Sequence, residues 1–142
     1  KDPKVEFGST YDYPYLSICT TGTHDMNPLR AWWEEDRGVT QRFYNQVLGA
    51  WGDAPYFCEP WICEQVVAMH LKSPAMLTVL PLQDWLAMDG ELRRENPNDE
   101  RINVPANSRH YWRYRMHLSL EELLKADNLN AMIRQKIAES GR

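Results

Sequence analysis

Leu29, Trp32, Trp33, Thr40, Phe43, Tyr44, Val47 and Leu48 recur near three- and four-residue spacing, while Glu34, Glu35, Arg37, Gln41 and Arg42 point elsewhere. This period predicts one amphipathic helix that begins at Leu29 and stops at Gly49. Asn27 is placed to cap it and Pro28 to form its first turn. Gly52-Asp53-Ala54-Pro55 breaks the pattern, and a second helix is predicted from Pro60 to about Leu71, ended by Ser73-Pro74. Ser119-Leu120-Glu121-Glu122 has the form of a capping box, and a further start at Asp127 or Asn128 leads Leu129, Met132, Ile133 and Ile137 towards Gly141.

Two segments have a different pattern. Tyr15 to about Thr21 reads as a strand, and Ala75 to Leu80 is a short apolar run bounded by Pro74 and Pro81, as expected of a parallel strand buried on both faces. Strands alternating with helices predict an α/β fold. Both strands end in acid-bearing loops. The first runs into Thr20-Thr21-Gly22-Thr23-His24-Asp25, and the second into Leu82-Gln83-Asp84. In parallel sheets, polar chemistry gathers at the carboxyl ends of the strands, so these loops are the candidate site. Residues 91–101 read as a charged surface loop.

Thr23-His24-Asp25, Leu29-Arg30-Ala31-Trp32-Trp33, Pro81-Leu82-Gln83-Asp84 and Glu100-Arg101-Ile102-Asn103-Val104-Pro105-Ala106-Asn107 resemble, in that order, the C-terminal part of 4-alpha-glucanotransferases of the amylomaltase or disproportionating-enzyme family. Trp32-Trp33-Glu34-Glu35 and Cys58-Glu59-Pro60-Trp61 are closer to the family's long form, found in plants and Bacteroides, than to short bacterial amylomaltases. The short form usually has Pro-Gly where this chain has Pro105-Ala106-Asn107. The resemblance implies strands seven and eight, with their helices, of a (β/α)8 barrel. Such a barrel takes ~200–250 residues, so a chain of 142 is expected to be one C-terminal fragment of the catalytic barrel over residues 1–142, with no complete independent domain.

Composition narrows the alternatives. With 43% hydrophobic and 25% charged residues the chain has the usage of an ordinary globular protein. A net charge of -4 and no basic stripe disfavour nucleic acid as a partner. Six Trp and seven Tyr exceed what a core of this size needs, so some are expected in pockets. Three cysteines, Cys19, Cys58 and Cys63, do not make a disulfide framework and are expected to be reduced. Cys58, Cys63 and His70 lack the spacing of a zinc site, and neither a metal nor an organic cofactor is expected. No apolar run is long enough for a membrane span and no leader is evident, which fits a cytoplasmic protein, or a plastid or cytosolic one in a plant-like source.

The implied chemistry is disproportionation of alpha-1,4-glucans by retaining double displacement. A carboxylate nucleophile and an acid/base carboxyl stand about 5 Å apart, and the reaction passes an oxocarbenium-like transition state. The resemblance places the nucleophilic Asp and the acid/base Glu on earlier strands. It assigns to Asp25 the role of transition-state stabiliser, and electrostatics makes that role reasonable, because a fixed anion favours a developing cation over the neutral ground state. His24 is expected to hydrogen-bond the same sugar. Asn103 can donate to and accept from hydroxyls, and Gln83 and Asp84 read equally as sugar contacts or as hydrogen bonds closing the strand ends. Trp112 reads as a stacking platform or as packing on the barrel's outside. Read without the resemblance, a His-Asp pair after a strand is more often a buried hydrogen-bonded pair than a catalytic one. A Cys19-His24-Asp25 triad is disfavoured because neighbouring strand residues alternate between faces.

The expected partners are an alpha-1,4-glucan donor, a maltose or glucan acceptor, and the remainder of the barrel. The fragment alone is expected to be inactive, and its open sheet edges to promote self-association. The alternative is a non-catalytic glucan-binding or scaffold remnant of such a barrel.

Overall fold

The computed structural model describes residues 4–142. In chain order its elements are β1 (Ile18–Cys19), α1 (Leu29–Glu35), α2 (Arg37–Gln46), α3 (Pro60–Leu71), β2 (Leu77–Thr78), α4 (Leu82–Leu86), α5 (Leu120–Leu124) and α6 (Asp127–Glu139), with single 3-10 turns at Thr10–Asp12 and Pro97–Glu100. The strands pair in parallel, Ile18 opposite Leu77 and Cys19 opposite Thr78, connected through α1 to α3. The paired backbone is longer than the strands: Met76 N–H donates to Tyr15 O at 2.7 Å and Val79 N–H to Cys19 O at 2.9 Å.

The helix expected over Leu29 to Gly49 is two helices. Asp36 is extended at φ -140°, ψ 105°, and its carboxylate accepts from Val39 N–H at 3.1 Å to start α2. Thr40 bridges the break, its hydroxyl donating to the α1 carbonyl of Trp33 at 2.6 Å. Both helices turn the same apolar face inward, so the period continues across a residue that is not helical. Asn27 is not the cap of α1. Pro28 holds that position without a side-chain bond, and a buried carboxylate described below serves the first free N–H. At the other end Gly49, at φ 66°, takes the left-handed conformation that closes α2.

α3 begins at Pro60 as its missing N–H permits. Ile62, Cys63, Val66 and Val67 on α3 pack with Trp33, Phe43, Tyr44, Leu86 and Leu129 into one core. The capping box forms in full, Ser119 Oγ accepting from Glu122 N–H and Glu122 from Ser119 N–H, and α6 starts at Asp127. Cys58 and Cys63 are both buried, with Sγ atoms 3.5 Å apart, and that contact together with burial pushes the Cys58 thiol far above its ordinary value.

The second strand is not buried on both faces. Ile18, Leu77 and Val79 are exposed, whereas Cys19 and Ala75 are buried against the helices. The helices cover one face of the pair, and no described segment lies over the other. Residues 91–101 are likewise more than a surface loop. The 3-10 turn brings Glu100 to 2% exposure, where Arg30 Nη1 donates to its Oε1 at 2.7 Å.

Candidate functional site

Because β1 and β2 are parallel, the loops after Cys19 and after Thr78 leave the sheet at the same edge. They form a cleft of about 300 Å3, lined on one side by Thr20, Gly22, Thr23, His24 and Met26, and on the other by Val79, Leu80, Pro81, Leu82, Gln83 and Asp84. The turn that carries His24 and Asp25 is held locally: Met26 N–H donates to Thr23 O at 3.0 Å, and Thr20 Oγ1 to Gly22 O at 2.9 Å.

His24 and Asp25 project outward, with about half of each side chain exposed, and their Nε2 and Oδ1 atoms lie 3.4 Å apart. They are therefore not a buried pair. Asn103 meets them from the 101–107 loop. Its Nδ2 donates to Asp25 Oδ1 at 2.6 Å, and its backbone N–H to His24 O at 3.1 Å. Asn103 thus touches both members of the pair, one through its side chain and one through its backbone. Trp112 is exposed rather than packed in a core, and its ring centroid lies 4.9 Å from that of His24, tilted by 46°.

Gln83 and Asp84 form the floor, at 4% and 1% exposure. Gln83 Nε2 donates to Glu100 O at 3.0 Å. Asp84 accepts from the Thr21 hydroxyl through Oδ2 and from Leu29 N–H, at 3.0 Å, through Oδ1. One carboxylate therefore joins the loop after β1 to the first turn of α1, where helix geometry leaves an N–H without an internal partner. Burial raises the Asp84 carboxyl above its ordinary value, opposed by these two donors. Burial also raises Glu100, against the pull of Arg30. His70 lies beneath, its Nδ1 2.7 Å from Val66 O, and burial lowers its pKa.

Two participants were not named as site residues in the sequence. Arg101 stood only within a motif, yet its guanidinium reaches Asn103 O, Asn27 Oδ1 and Asp25 O. Asn27, expected as a helix cap, is that acceptor. No local pattern marked either residue, since these bonds join segments more than seventy residues apart. Chemically, the arrangement offers a solvent-facing carboxylate fixed by an amide, with an imidazole and an indole beside it, above a buried polar floor.

The sequence of the 4-alpha-glucanotransferase family, glycoside hydrolase family 77, matches residues 1–121. The chain belongs to the 4-alpha-glucanotransferase family. A 4-alpha-glucanotransferase DPE2 of Oryza sativa subsp. japonica is 39% identical over 99% of the chain, which spans 15% of that relative. A 4-alpha-glucanotransferase of Chlamydia caviae is 32% identical over 86% of the chain and 23% of its own length. Amylomaltase from Streptococcus agalactiae, solved in complex with acarbose, superposes with a TM-score of 0.68 at 21% identity, covering 94% of the chain and 23% of the amylomaltase. The architecture is thus that of part of an amylomaltase fold, and the chain spans less than a quarter of these family members. A plastid member, the chloroplastic/amyloplastic 4-alpha-glucanotransferase of Solanum tuberosum, is 27% identical. Among the described residues no helix is long and apolar enough to cross a membrane.

Proposed function

We propose that this member of the transferase family contributes the donor-sugar side of an alpha-1,4-glucan transfer site, with Asp25 as the transition-state-stabilising carboxylate. The observation that supports this most is the exposed Asp25 carboxylate, held by Asn103 at 2.6 Å beside His24 at the carboxyl edge of two parallel strands. In this reading β1 and β2 are strands seven and eight of a (β/α)8 barrel. The nucleophile and the acid/base stand on strands outside this chain, and the uncovered face of Ile18, Leu77 and Val79 belongs to the barrel interior. Residues 1–142 are then one portion of a catalytic barrel rather than an independent domain.

As the glycosidic bond lengthens, positive charge grows on the sugar ring. Asp25 answers it with a fixed negative charge that needs no reorganisation, because Asn103 already holds Oδ1. His24 and Asn103 bind hydroxyls of the same glucosyl unit, while Gln83 and Asp84 shape the floor beneath it. The covalent glucosyl unit then passes to a maltose or longer glucan acceptor. No metal or organic cofactor takes part, and the setting is the cytoplasm, or a plastid in a plant-like source.

The test is disproportionation of maltotriose by the full-length protein and its Asp25→Asn form. Loss of the anion is expected to lower kcat by ~10^3-fold, or ~4 kcal/mol, at an unchanged thermal midpoint. A variant that retains kcat within about threefold of the parent removes Asp25 from the mechanism.

A further inference from the structure

We propose that Arg101 is the positioning residue of this site, a guanidinium clamp that fixes the Asp25 turn to the Asn103 loop. Its three nitrogens address three separate acceptors. Nε donates to Asn103 O at 2.8 Å, Nη1 to Asn27 Oδ1 at 2.8 Å, and Nη2 to Asp25 O at 3.3 Å. Asn27 is itself oriented, because its Nδ2 donates to Glu35 Oε2 at 3.2 Å at the end of α1. The clamp therefore connects the Asn103 backbone, the backbone of the stabilising carboxylate and, through Asn27, a helix.

The reason for an arginine is geometric. Asp25 and Asn103 are on two loops far apart in sequence, and the 2.6 Å bond between their side chains has value only if both backbones are already placed. A planar fork reaches acceptors spread around it, whereas a lysine carries its donors on one atom and cannot serve all three. Among the described residues Arg101 donates to the backbone carbonyls of Asn103 and Asp25 and to Asn27, so it acts through Asp25 and Asn103 and not on the sugar. Its own position is set one residue earlier, where buried Glu100 is held by Arg30 and by Gln83.

This inference rests on the reading of Asp25 as the stabilising carboxylate, so the experiment carries a readout that does not depend on it. Full-length protein is compared with Arg101→Lys, Arg101→Ala and Asp25→Asn. Both Arg101 variants are expected to lose kcat on maltotriose by ~10–100-fold, the scale of a displacement of about 1 Å, with little change in KM. Added guanidinium ion restores turnover to Arg101→Ala but not to Asp25→Asn. Independently of turnover, amide hydrogen exchange across residues 101–107 speeds up ~10-fold or more in both Arg101 variants, while α3 keeps its protection. Where Asp25→Asn is impaired, full activity in Arg101→Lys or no rescue by guanidinium overturns the clamp, and unchanged exchange across 101–107 overturns it in every case. An unimpaired Asp25→Asn with faster exchange in the Arg101 variants removes the proposed function and leaves the clamp standing.

Discussion

The buried pair of Arg30 and Glu100 allows a quantitative test of how the site is mounted. Arg30 is 6% exposed and Glu100 2% exposed. Arg30 also donates to the carbonyls of Arg94, at 2.6 Å, and Glu95, at 3.3 Å. Glu100 Oε2 is buried without a hydrogen-bond partner among the described residues. Removing one partner from such a pair costs about 3–5 kcal/mol, because the other charge stays buried alone. Arg30→Met and Glu100→Met should each fall in this range, for a sum of roughly 6–10 kcal/mol. The double variant leaves no unpaired charge and retains only the cost of two carbonyls without their donor, about 1–3 kcal/mol each when they stay dry. A double variant destabilised by about 2–6 kcal/mol, against the roughly 6–10 kcal/mol sum, then gives a coupling energy centred on ~4 kcal/mol. The assay is urea unfolding of the full-length protein followed by Trp fluorescence, in the transition that reports this region. Additivity of the two single variants within about 0.5 kcal/mol would refute the reasoning, since it would mean that the two charges are solvated independently.

Two further outcomes follow from the same structure. Burial lowers the His70 pKa below its ordinary 6.5, so the folded chain binds fewer protons at this position than the unfolded one between the lowered value and 6.5. Stability is expected to fall as pH drops through that window, and His70→Gln to flatten this part of a thermal-midpoint profile against pH. Ser119→Ala removes one half of the capping box and should cost ~1 kcal/mol locally, with Ser119→Gly costing only a few tenths, as read by amide exchange in α5.

Periodicity and punctuation made α3, α5 and α6 legible in the sequence, because Pro60, the Ser119 box and Asp127 act within a few residues of themselves. The break at Asp36 was hidden because one extended residue leaves the inward face of both helices aligned. The exposure of Ile18, Leu77 and Val79 was not legible, because an apolar run records what a face needs and not which segment supplies the cover. His24, Asp25 and Asn103 could be named from the motifs, but their convergence depends on Arg101 reaching back to Asn27 and Asp25. Contacts over more than seventy residues leave no local period. The same holds for Glu100, whose charge suggested solvent and whose partner on α1 draws it inside.

Asp84 grips Thr21 and Leu29, the residues on either side of the segment 22–28 that bears His24 and Asp25. A single buried side chain therefore fixes both ends of that segment, so changes of shape at 22–26 can leave the sheet and the start of α1 in place, while Asn27 ties the segment to Glu35 at the end of α1. The segment behaves as an exchangeable fitting on a rigid mount. Substitutions at 22–26 can reshape the wall of the cleft while the surrounding helices stay where they are, so the form of the site and the stability of the fold are free to diverge as long as Asp84 stays in place.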